Sequence, residues 1–532
     1  MDKKPFLAAL YPILLGLYPI ISLYSNNWTQ TPLRSFLLCL IVTFLAISII
    51  FMVLRRVYSD INRASYVLSV FVICFFTYGH IHSLVLSWIA DSFTKVANFE
   101  RLDLAANSNV YLHIPLVIMF LMIMIVVHKL RPKLSKDLPI KPFFTLLILC
   151  LYGLPVFRLA QIRFLQPETE QTSFSKIGLQ INKPTILPDI YYIILDGYAR
   201  GDVLKNYYDF DNNKFLATLE KKGFYVAEKS YANYSYTFLS LASSLNFKHI
   251  AYLSEKVGEN STDLRIPYQM IEDNEVVNIL KAIGYSYVHF NSTWGATASN
   301  RHADFAISPA ASIFQDEFTR VLSSTTFLKV LDPFMIQSLA QVHLNSLQAL
   351  EEVSSMEEST FTFAHILLPH YPFIFSESGE LKKDLTVLDQ FEESAWVDTD
   401  GYKQQVAYLN NRMLQIIDRI LEKSEVEPVI IIQGDHGPTL PGSKEATPIR
   451  MSILNAYFFP DYLEQNDFLY PTITPVNTFR LLLNELFGSD LPLEKDEVFF
   501  SRFARPFRFF RLDELEAFES HLERKAVSEL RE

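Results

Sequence analysis

The chain has 532 residues, half of them hydrophobic, and a mean hydropathy of +0.15, which is too apolar for one ordinary soluble domain and long enough for two units. Residues 1–164 carry 15 Lys or Arg and 6 Asp or Glu, a net charge of +9, whereas the remaining residues carry 32 and 52, a net charge of −20. The acidic second part argues against nucleic acid as a partner and against electrostatic adhesion to anionic lipid.

Five apolar runs, each near the roughly 20 residues that cross a bilayer, come before residue 165. Because they lack a charged amphipathic face, they predict membrane spans rather than buried core helices. The first run also lacks the small-residue cleavage site of a signal peptide. The predicted transmembrane domain, residues 1–164, therefore has five spans: Pro5–Tyr24, Leu33–Leu54, Ser65–Ala90, Val110–His128 and Pro142–Ala160.

The basic residues outside these runs predict the orientation of the chain. They are in excess before the first span, between the second and third spans (55–63), and between the fourth and fifth spans (129–141), whereas 25–31 carries no charge and 91–109 a balanced mixture. By the positive-inside rule the N-terminus is cytoplasmic, and everything after the fifth span is outside. This predicts a multi-pass protein of a bacterial-type inner (plasma) membrane with its large domain on the extracytoplasmic side.

A linker, 165–188, rich in Gln, Thr, Ser and Pro, precedes the external domain, 189–532. Strand and helix patterns alternate in this domain, which predicts an α/β fold with a mostly parallel central sheet and helices on both faces. The polar tail after Arg505 is predicted to be helical. The predicted strands are 191–195, 224–227, 285–290, 362–368, 429–432 and 452–459, and the predicted helices are 212–222, 273–283, 403–423 and 477–487.

The positions of the cysteines exclude thiol chemistry in the external domain. Cys39, Cys74 and Cys150 all lie in predicted spans, so the external domain has no disulfide, thiol nucleophile or thiolate metal site.

Acidic and imidazole side chains follow two of the apolar strands. Asp196 comes directly after the first external strand, and Asp435 and His436, flanked by two glycines, follow the strand 429–432. The carboxyl ends of parallel strands meet at one edge of a sheet, so these side chains are expected to converge there. Carboxylate and imidazole ligands suit Zn²⁺ or Mn²⁺, with Mg²⁺ as an alternative. Alone, each residue is also compatible with a loop aspartate or a structural turn.

A hydroxyl nucleophile for such a site is offered by Thr237. It precedes the Leu- and Ser-rich stretch 238–245, which predicts a helix that begins at about Phe238 with Thr237 at its cap. A hydroxyl at a helix N-terminus lies where the backbone N–H groups and the helix dipole favour an anion. Considered alone, Thr237 is an ordinary N-cap residue. Ser235 and Ser240 are close enough in sequence to be alternative nucleophiles.

The order Asp196, Thr237 and Asp435–His436 behind five spans resembles the alkaline phosphatase superfamily. It is most similar to its sulfatase-like branch, which includes lipoteichoic acid synthases and lipid A phosphoethanolamine transferases. The resemblance covers roughly residues 189–487 and implies that all four residues bind a catalytic divalent metal and that Thr237 forms a covalent phospho-enzyme. It further implies that His370 contacts the transferred group or protonates the leaving oxygen.

The sequence departs from that branch in three ways. Asp196 stands where those transferases usually carry Glu, no histidine occurs in 437–446, and no Cys/Ser-x-Pro-x-Arg motif of true sulfatases surrounds Thr237. The function implied by the resemblance is transfer of a phosphoethanolamine- or phosphoglycerol-type group to an envelope glycan or lipid. Hydrolysis of phosphate or sulfate esters and a non-catalytic envelope scaffold are the alternatives. The sequence does not indicate an oligomeric state or a role for His365.

Overall fold

The computed structural model describes residues 4–97, 101–129, 140–164, 187–308, 316–382, 396–439, 446–460 and 468–512. These residues fold into two compact units. The first, which we call the membrane unit, comprises the described residues before 165 and the segment 316–337. The second, which we call the sheet unit, comprises the described residues 187–308 and those from 338 onward. Most of the predicted linker lies outside the described residues.

The membrane unit contains five long helices at the positions of the five predicted runs. Four of them share a small core of apolar side chains that includes Leu15, Ile47 and Leu68. The helices are α1 (Lys4–Asn27), α2 (Leu33–Val57), α3 (Ile61–Ala97), α4 (Arg101–Lys129) and α5 (Ile140–Phe164).

Three described stretches are long and apolar enough to cross a membrane, Leu33–Val57, Ile61–Ile89 and Leu112–Lys129. Helix α5 contains a shorter apolar stretch, Leu146–Ala160. Large apolar side chains of these helices, among them Leu84 and Trp88, face outward as lipid-exposed residues do. The three stretches match predicted spans, and the count of five crossings remains a prediction.

A seven-stranded sheet forms the centre of the sheet unit, in the order β2-β7-β6-β1-β5-β3-β4. Strands β6, β1, β5, β3 and β4 are parallel, and β7 is antiparallel to both of its neighbours. The prediction of an α/β domain with a mostly parallel sheet is therefore confirmed. The strands are β1 (Ile190–Leu195), β2 (Tyr225–Val226), β3 (Ser286–Phe290), β4 (Phe305–Ile307), β5 (Thr360–Ile366), β6 (Val429–Gly434) and β7 (Asn455–Phe458).

The central strand β1 is buried along its whole length, as expected for an apolar β-branched and aromatic strand between two parallel neighbours.

A separate hairpin, β8 (Phe499–Arg502) and β9 (Arg505–Arg511), follows the sheet. Helices and 3₁₀ turns make up the other elements. The helices are α6 (Gly201–Tyr208), α7 (Asn213–Lys221), α8 (Thr237–Ser244), α9 (Leu253–Val257), α10 (Arg265–Glu272), α11 (Glu275–Ile283), α12 (Glu317–Thr325), α13 (Asp332–Leu350), α14 (Thr399–Lys423), α15 (Ala446–Met451) and α16 (Pro475–Phe487).

Several local predictions differ from the structure. The predicted helix after Arg505 is wrong as far as residue 511, because alternating aromatic and basic residues form β9 there. Helix α11 begins at Glu275, two residues later than predicted, because the side chain of Asn274 caps it by accepting a hydrogen bond from Val277 N–H. The predicted domain boundaries, 1–164, 165–188 and 189–532, remain predictions, and the described residues 316–337 group with the membrane unit.

Candidate active site

The register of three parallel strands brings the predicted ligands to one edge of the sheet. Leu195, the last residue of β1, is paired with Ile366 at the end of β5 and with Gly434 at the end of β6. The next residues, Asp196 and Asp435, therefore leave the sheet at the same level. This is the edge at which open parallel sheets bind ligands.

Four predicted side chains converge at this edge. His436 Nε2 lies 3.6 Å from Asp196 Oδ1, 3.4 Å from Asp435 Oδ2 and 3.2 Å from Thr237 Oγ1. Asp196, Asp435 and His436 are each at least 96% buried, and Thr237 is 9% exposed. The structure thus brings together every residue that the sequence analysis nominated as a metal ligand.

Glycines allow the backbone to make these tight turns. Gly197 has a φ of +75° and donates its N–H to Asp435 Oδ1 at 3.1 Å. A Cβ on Gly437 would come within 2.4 Å of the carbonyl oxygen of Ile449. Glycine is therefore favoured directly after Asp196 and required directly after His436.

The hydrogen bonds of His436 fix which ring nitrogen faces the site. Nδ1 donates to the carbonyl oxygen of Gly437 at 2.9 Å, which leaves the lone pair of Nε2 free. The Thr237 hydroxyl and Arg450 Nη2, the latter at 3.0 Å, both lie within hydrogen-bonding distance of that lone pair. Nε2 is therefore oriented as a metal ligand would be.

Thr237 is the first residue of α8, and Tyr236 is its N-cap, one position earlier than predicted. The competing hydroxyl of Ser235 is hydrogen-bonded to the backbone of Ser501, at 3.2 Å for both the N–H and the carbonyl group. Ser240 is buried inside α8. Of the three hydroxyls, that of Thr237 lies against the histidine and carboxylate cluster.

His365 also lies at this site, although the sequence indicated no role for it. It lies in β5, and its Nε2 is 3.3 Å from Asp196 Oδ2, while its Nδ1 is 2.8 Å from Thr297 Oγ1. Asp196, His365 and Asp435 form a group of potential metal ligands whose atoms lie within 4.8 Å of one another. A histidine within a strand looks structural in sequence, so only its pairing with β1 reveals it.

His370 follows β5 on the same edge, as predicted. Its ring centroid is 6.2 Å from that of His436 and 5.0 Å from that of Trp396. Nδ1 donates to the carbonyl oxygen of Tyr371 at 2.8 Å, so Nε2 carries the free lone pair. Burial lowers the pKa of His370, although Asp196 opposes the shift, and the neutral ring is suited to accept a proton.

Arg450 is a second residue that the sequence did not reveal. Its Nε donates to the carbonyl oxygen of Ser235 at 2.9 Å, and its Nη1 donates to the carbonyl oxygen of Gly437 and to Thr439 Oγ1. These bonds hold the guanidinium beside His436. A positive charge in this place can stabilise a phosphate oxygen.

Burial and mutual repulsion dominate the electrostatics of the two carboxylates. Burial, together with the adjacent Asp196, raises the pKa of Asp435 to about 7. Burial acts in the same direction on Asp196, but protons on the neighbouring His370, His365 and His436 would outweigh it and lower the pKa of Asp196. Burial lowers the pKa of His436 well below its ordinary value, and Arg450 adds to that effect.

These residues fit a divalent cation. Asp196 Oδ1 and Asp435 Oδ2 are buried oxygens that accept no hydrogen bond from the described residues, although both lie next to neutral His436 Nε2. Unpartnered buried carboxylate oxygens are costly, and a cation between them would remove the cost. Carboxylate oxygens and imidazole nitrogens together suit Zn²⁺ or Mn²⁺, as the sequence predicted.

No family model and no curated protein matches the sequence. The fold is similar to several solved structures at low identity. The C-terminal periplasmic domain of EptC from Escherichia coli is 11% identical, with a TM-score of 0.44, and the match covers 63% of this chain and 95% of that one. That domain has also been solved in complex with zinc.

Two further structures have the same kind of similarity. The soluble domain of lipooligosaccharide phosphoethanolamine transferase A from Neisseria meningitidis is 12% identical, with a TM-score of 0.38. The match covers 58% of this chain and 91% of that one. A proposed sulfatase from Bacteroides thetaiotaomicron is 10% identical, with a TM-score of 0.39. The match covers 61% of this chain and 75% of that one. Similarity at this level defines neither a family nor a substrate for this chain.

Proposed function

We propose that this chain is a membrane-bound, metal-dependent enzyme that transfers a phosphoethanolamine- or phosphoglycerol-type group to an envelope glycan or lipid. Thr237 is the nucleophile. The observation that carries the proposal is the convergence of the Thr237 hydroxyl with His436 Nε2, which itself lies between two buried carboxylates. A hydroxyl next to buried carboxylates and imidazole is the arrangement expected of an activated nucleophile.

The reaction has two halves, each a substitution at phosphorus. In the first, Thr237 Oγ1 bonds to the phosphorus of a phospholipid, and the bond from phosphorus to the diacylglycerol oxygen breaks. The Thr237 proton passes to neutral His370 Nε2 and then to the leaving oxygen. In the second half, the acceptor hydroxyl bonds to phosphorus, the bond to Thr237 breaks, and the acceptor's proton returns to Thr237 by way of His370.

Asp196, Asp435, His436 and Thr237 would hold the metal, and His365 is placed to add a further ligand on the β5 side. A divalent cation there supplies positive charge, which favours ionisation of the Thr237 hydroxyl and offsets the charge on phosphate oxygens. Arg450 would contact the same phosphate oxygens.

The location follows from the apolar helices and the basic loops. We assign the protein to the inner (plasma) membrane, with the sheet unit on the extracytoplasmic side. Anchoring keeps the enzyme near membrane lipids and envelope glycans, which raises their effective concentration at the site.

The test is to trap the covalent intermediate. Full-length protein in detergent, loaded with Zn²⁺ or Mn²⁺, is incubated with phosphatidylethanolamine or phosphatidylglycerol that carries a labelled headgroup. After proteolysis, mass spectrometry locates the adduct. We expect headgroup phosphate on Thr237 and release of diacylglycerol.

The controls separate the alternatives. Thr237→Ala should abolish the adduct, and addition of EDTA before the lipid should prevent it. Free headgroup phosphate formed without any acceptor would indicate a hydrolase with the same nucleophile. Absence of both adduct and diacylglycerol, with metal bound, would contradict the proposal and favour a non-catalytic scaffold.

A further inference from the structure

One segment between two strands of the sheet packs with the membrane helices. Residues 316–337 come after β4 and before β5, yet they belong to the membrane unit. They form α12, a 3₁₀ helix (Phe327–Leu331) and the first turns of α13. Helix α12 packs on α2 and α3, and the 3₁₀ helix packs on α3.

The contacts of this segment reach deep between the helices. The Phe327 ring lies 6.2 Å from that of Phe75, 4.9 Å from that of Tyr78 and 5.5 Å from that of Phe120. Phe75 is at the midpoint of the apolar stretch Ile61–Ile89 of α3. Phe327 therefore lies near the middle of a stretch that is long enough to cross the bilayer.

The start of the segment makes a second set of contacts. Phe318 is buried in one cluster with Ile20 of α1 and Cys39 of α2. Nearby, Gly79 of α3 lets the backbone of the segment approach closely, because a Cβ there would be 2.2 Å from the carbonyl oxygen of Ser324. Small residues at helix contacts are typical of packing inside membranes, where backbones must come close to gain dispersion energy.

The segment contains two buried cations, each three residues from an acidic residue. Lys329 is 1% exposed, and its ammonium lies 3.3 Å from Asp332 Oδ2, which is also buried. Arg320 is 9% exposed and follows Glu317 by one helical turn. Ionisable residues that enter a membrane are tolerated when they pair and face protein.

The apolar side chains on the other side of the segment face outward. Leu328, Leu331 and Phe334 are 38%, 48% and 70% exposed, and their spacing of three residues puts them on one side of the chain. In the same unit, α3 exposes Leu84 and Trp88 at 69% and 70%. The segment thus has the inside-out pattern of the spanning helices, with charges inward and large apolar groups outward.

We propose that residues 317–334 form a re-entrant segment that dips from the external side into the bilayer and exposes Leu328, Leu331 and Phe334 to lipid acyl chains. The partner of this surface is the hydrocarbon of the outer leaflet. Since 3₁₀ backbone is tolerated at membrane depth where protein covers it, the packing of Phe327–Leu331 on α3 meets that condition.

The experiment uses the full chain with Cys39, Cys74 and Cys150 replaced by alanine, in nanodiscs of phosphatidylethanolamine and phosphatidylglycerol. Single variants Leu328→Cys, Leu331→Cys and Phe334→Cys carry a nitroxide label, and collision with oxygen is compared with collision with a water-soluble nickel chelate. Phe503→Cys is the control, because Phe503 is a similarly exposed aromatic residue (57%) in the β8–β9 turn of the sheet unit.

At the three segment positions, we expect oxygen to collide more often than the nickel chelate, with the order reversed at residue 503. A charged maleimide should react at the three positions roughly 100-fold more slowly than at 503, because hydrocarbon excludes charge. If the three positions resemble residue 503, the surface faces water and the proposal is wrong. If both reagents are excluded, protein covers the surface, which also overturns it.

Discussion

Thr237 Oγ1 lies 3.2 Å from His436 Nε2, although 199 residues separate the two in the chain. Thr237 starts α8, and His436 follows β6 by two residues, so the contact depends on how α8 packs beside the sheet. Buried residues of α8, including Leu239 and Leu241, belong to the same core cluster as β1 and β6 side chains. The proposed nucleophile is thus held by core packing of α8.

This contact predicts the behaviour of Thr237 variants. Thr237→Ala should lose turnover by a factor on the order of 10³ or more, because no hydroxyl remains to attack phosphorus. Thr237→Ser should keep part of the activity, since it loses only a methyl group. Ser240→Ala, a change in the same helix, is the control and should turn over lipid normally. An active Thr237→Ala variant, or an adduct on Ser235 or Ser240, would contradict the assignment.

Asp435→Asn should remove the bound metal while the fold persists, because it removes charge from a strand end rather than volume from the core. Metal content after dialysis is the measurement, together with thermal unfolding. Asp189→Asn is a matched control at the opposite end of β1, where Asp189 accepts hydrogen bonds from Thr360. That variant should keep its metal. Stoichiometric metal in Asp435→Asn would mean that the site is assigned wrongly.

His365 tests whether the metal has a ligand on the β5 side. His365→Gln should weaken metal affinity, and Thr297→Val should weaken it by roughly 10- to 100-fold if Thr297 only orients the imidazole. His289→Gln is the control, since His289 is an equally buried histidine of β3. Titration with Zn²⁺ against a chelating dye gives the affinities. Unchanged affinity in His365→Gln would limit His365 to a structural role.

The sequence predicted the edge of the sheet on which the site lies, because Asp196 and Asp435–His436 directly follow apolar strands. It did not predict His365 or Arg450. His365 sits within a strand, and its role depends on which strand pairs with β1, while Arg450 reaches the site only because residues 449–452 pack over Gly437. Both depend on tertiary contacts that local periodicity does not encode.

The segment 316–337 escaped prediction for a different reason. Its charged residues, such as Arg320 and Lys329, are typical of a soluble helix when read one at a time. In the structure both are buried in the membrane unit, on a segment that packs on α2 and α3, and this packing is visible only in three dimensions.

His289 should make stability depend on pH. Burial lowers the pKa of His289 from 6.5 to about 4, so the folded chain holds its neutral form. This contribution is fully present above pH 6.5 and is lost as the pH falls towards 4, because the unfolded chain takes up the proton first. It amounts to on the order of 3 kcal/mol, given 1.36 kcal/mol per pKa unit.

The corresponding measurement is the melting temperature of wild type and His289→Gln between pH 7 and 4. Glutamine is uncharged over this whole interval and takes up no proton. The wild type should lose more stability than the variant over this interval. Parallel curves would show that His289 does not contribute to the acid sensitivity.

Arg450 should bind the phosphate group only when metal is present. In the structure its Nη2 donates to His436 Nε2, whereas Nε and Nη1 are held by the backbone and by Thr439. Once His436 Nε2 is a metal ligand, Nη2 needs another acceptor, and a phosphate oxygen is the group that brings one. We therefore expect Arg450→Gln to weaken inorganic phosphate binding to the Zn²⁺-loaded protein by roughly 10- to 100-fold. This factor corresponds to the loss of about 1.5–3 kcal/mol that is typical for a hydrogen bond to a charged group. Arg450→Lys should lose less, because it keeps the charge but not the fork of donors. Calorimetry of phosphate binding is the measurement, and Arg480→Gln, which removes another arginine bonded to backbone carbonyl oxygens, is the control. Equal phosphate affinity in wild type and Arg450→Gln would assign Arg450 a purely structural role in holding the turn after β6.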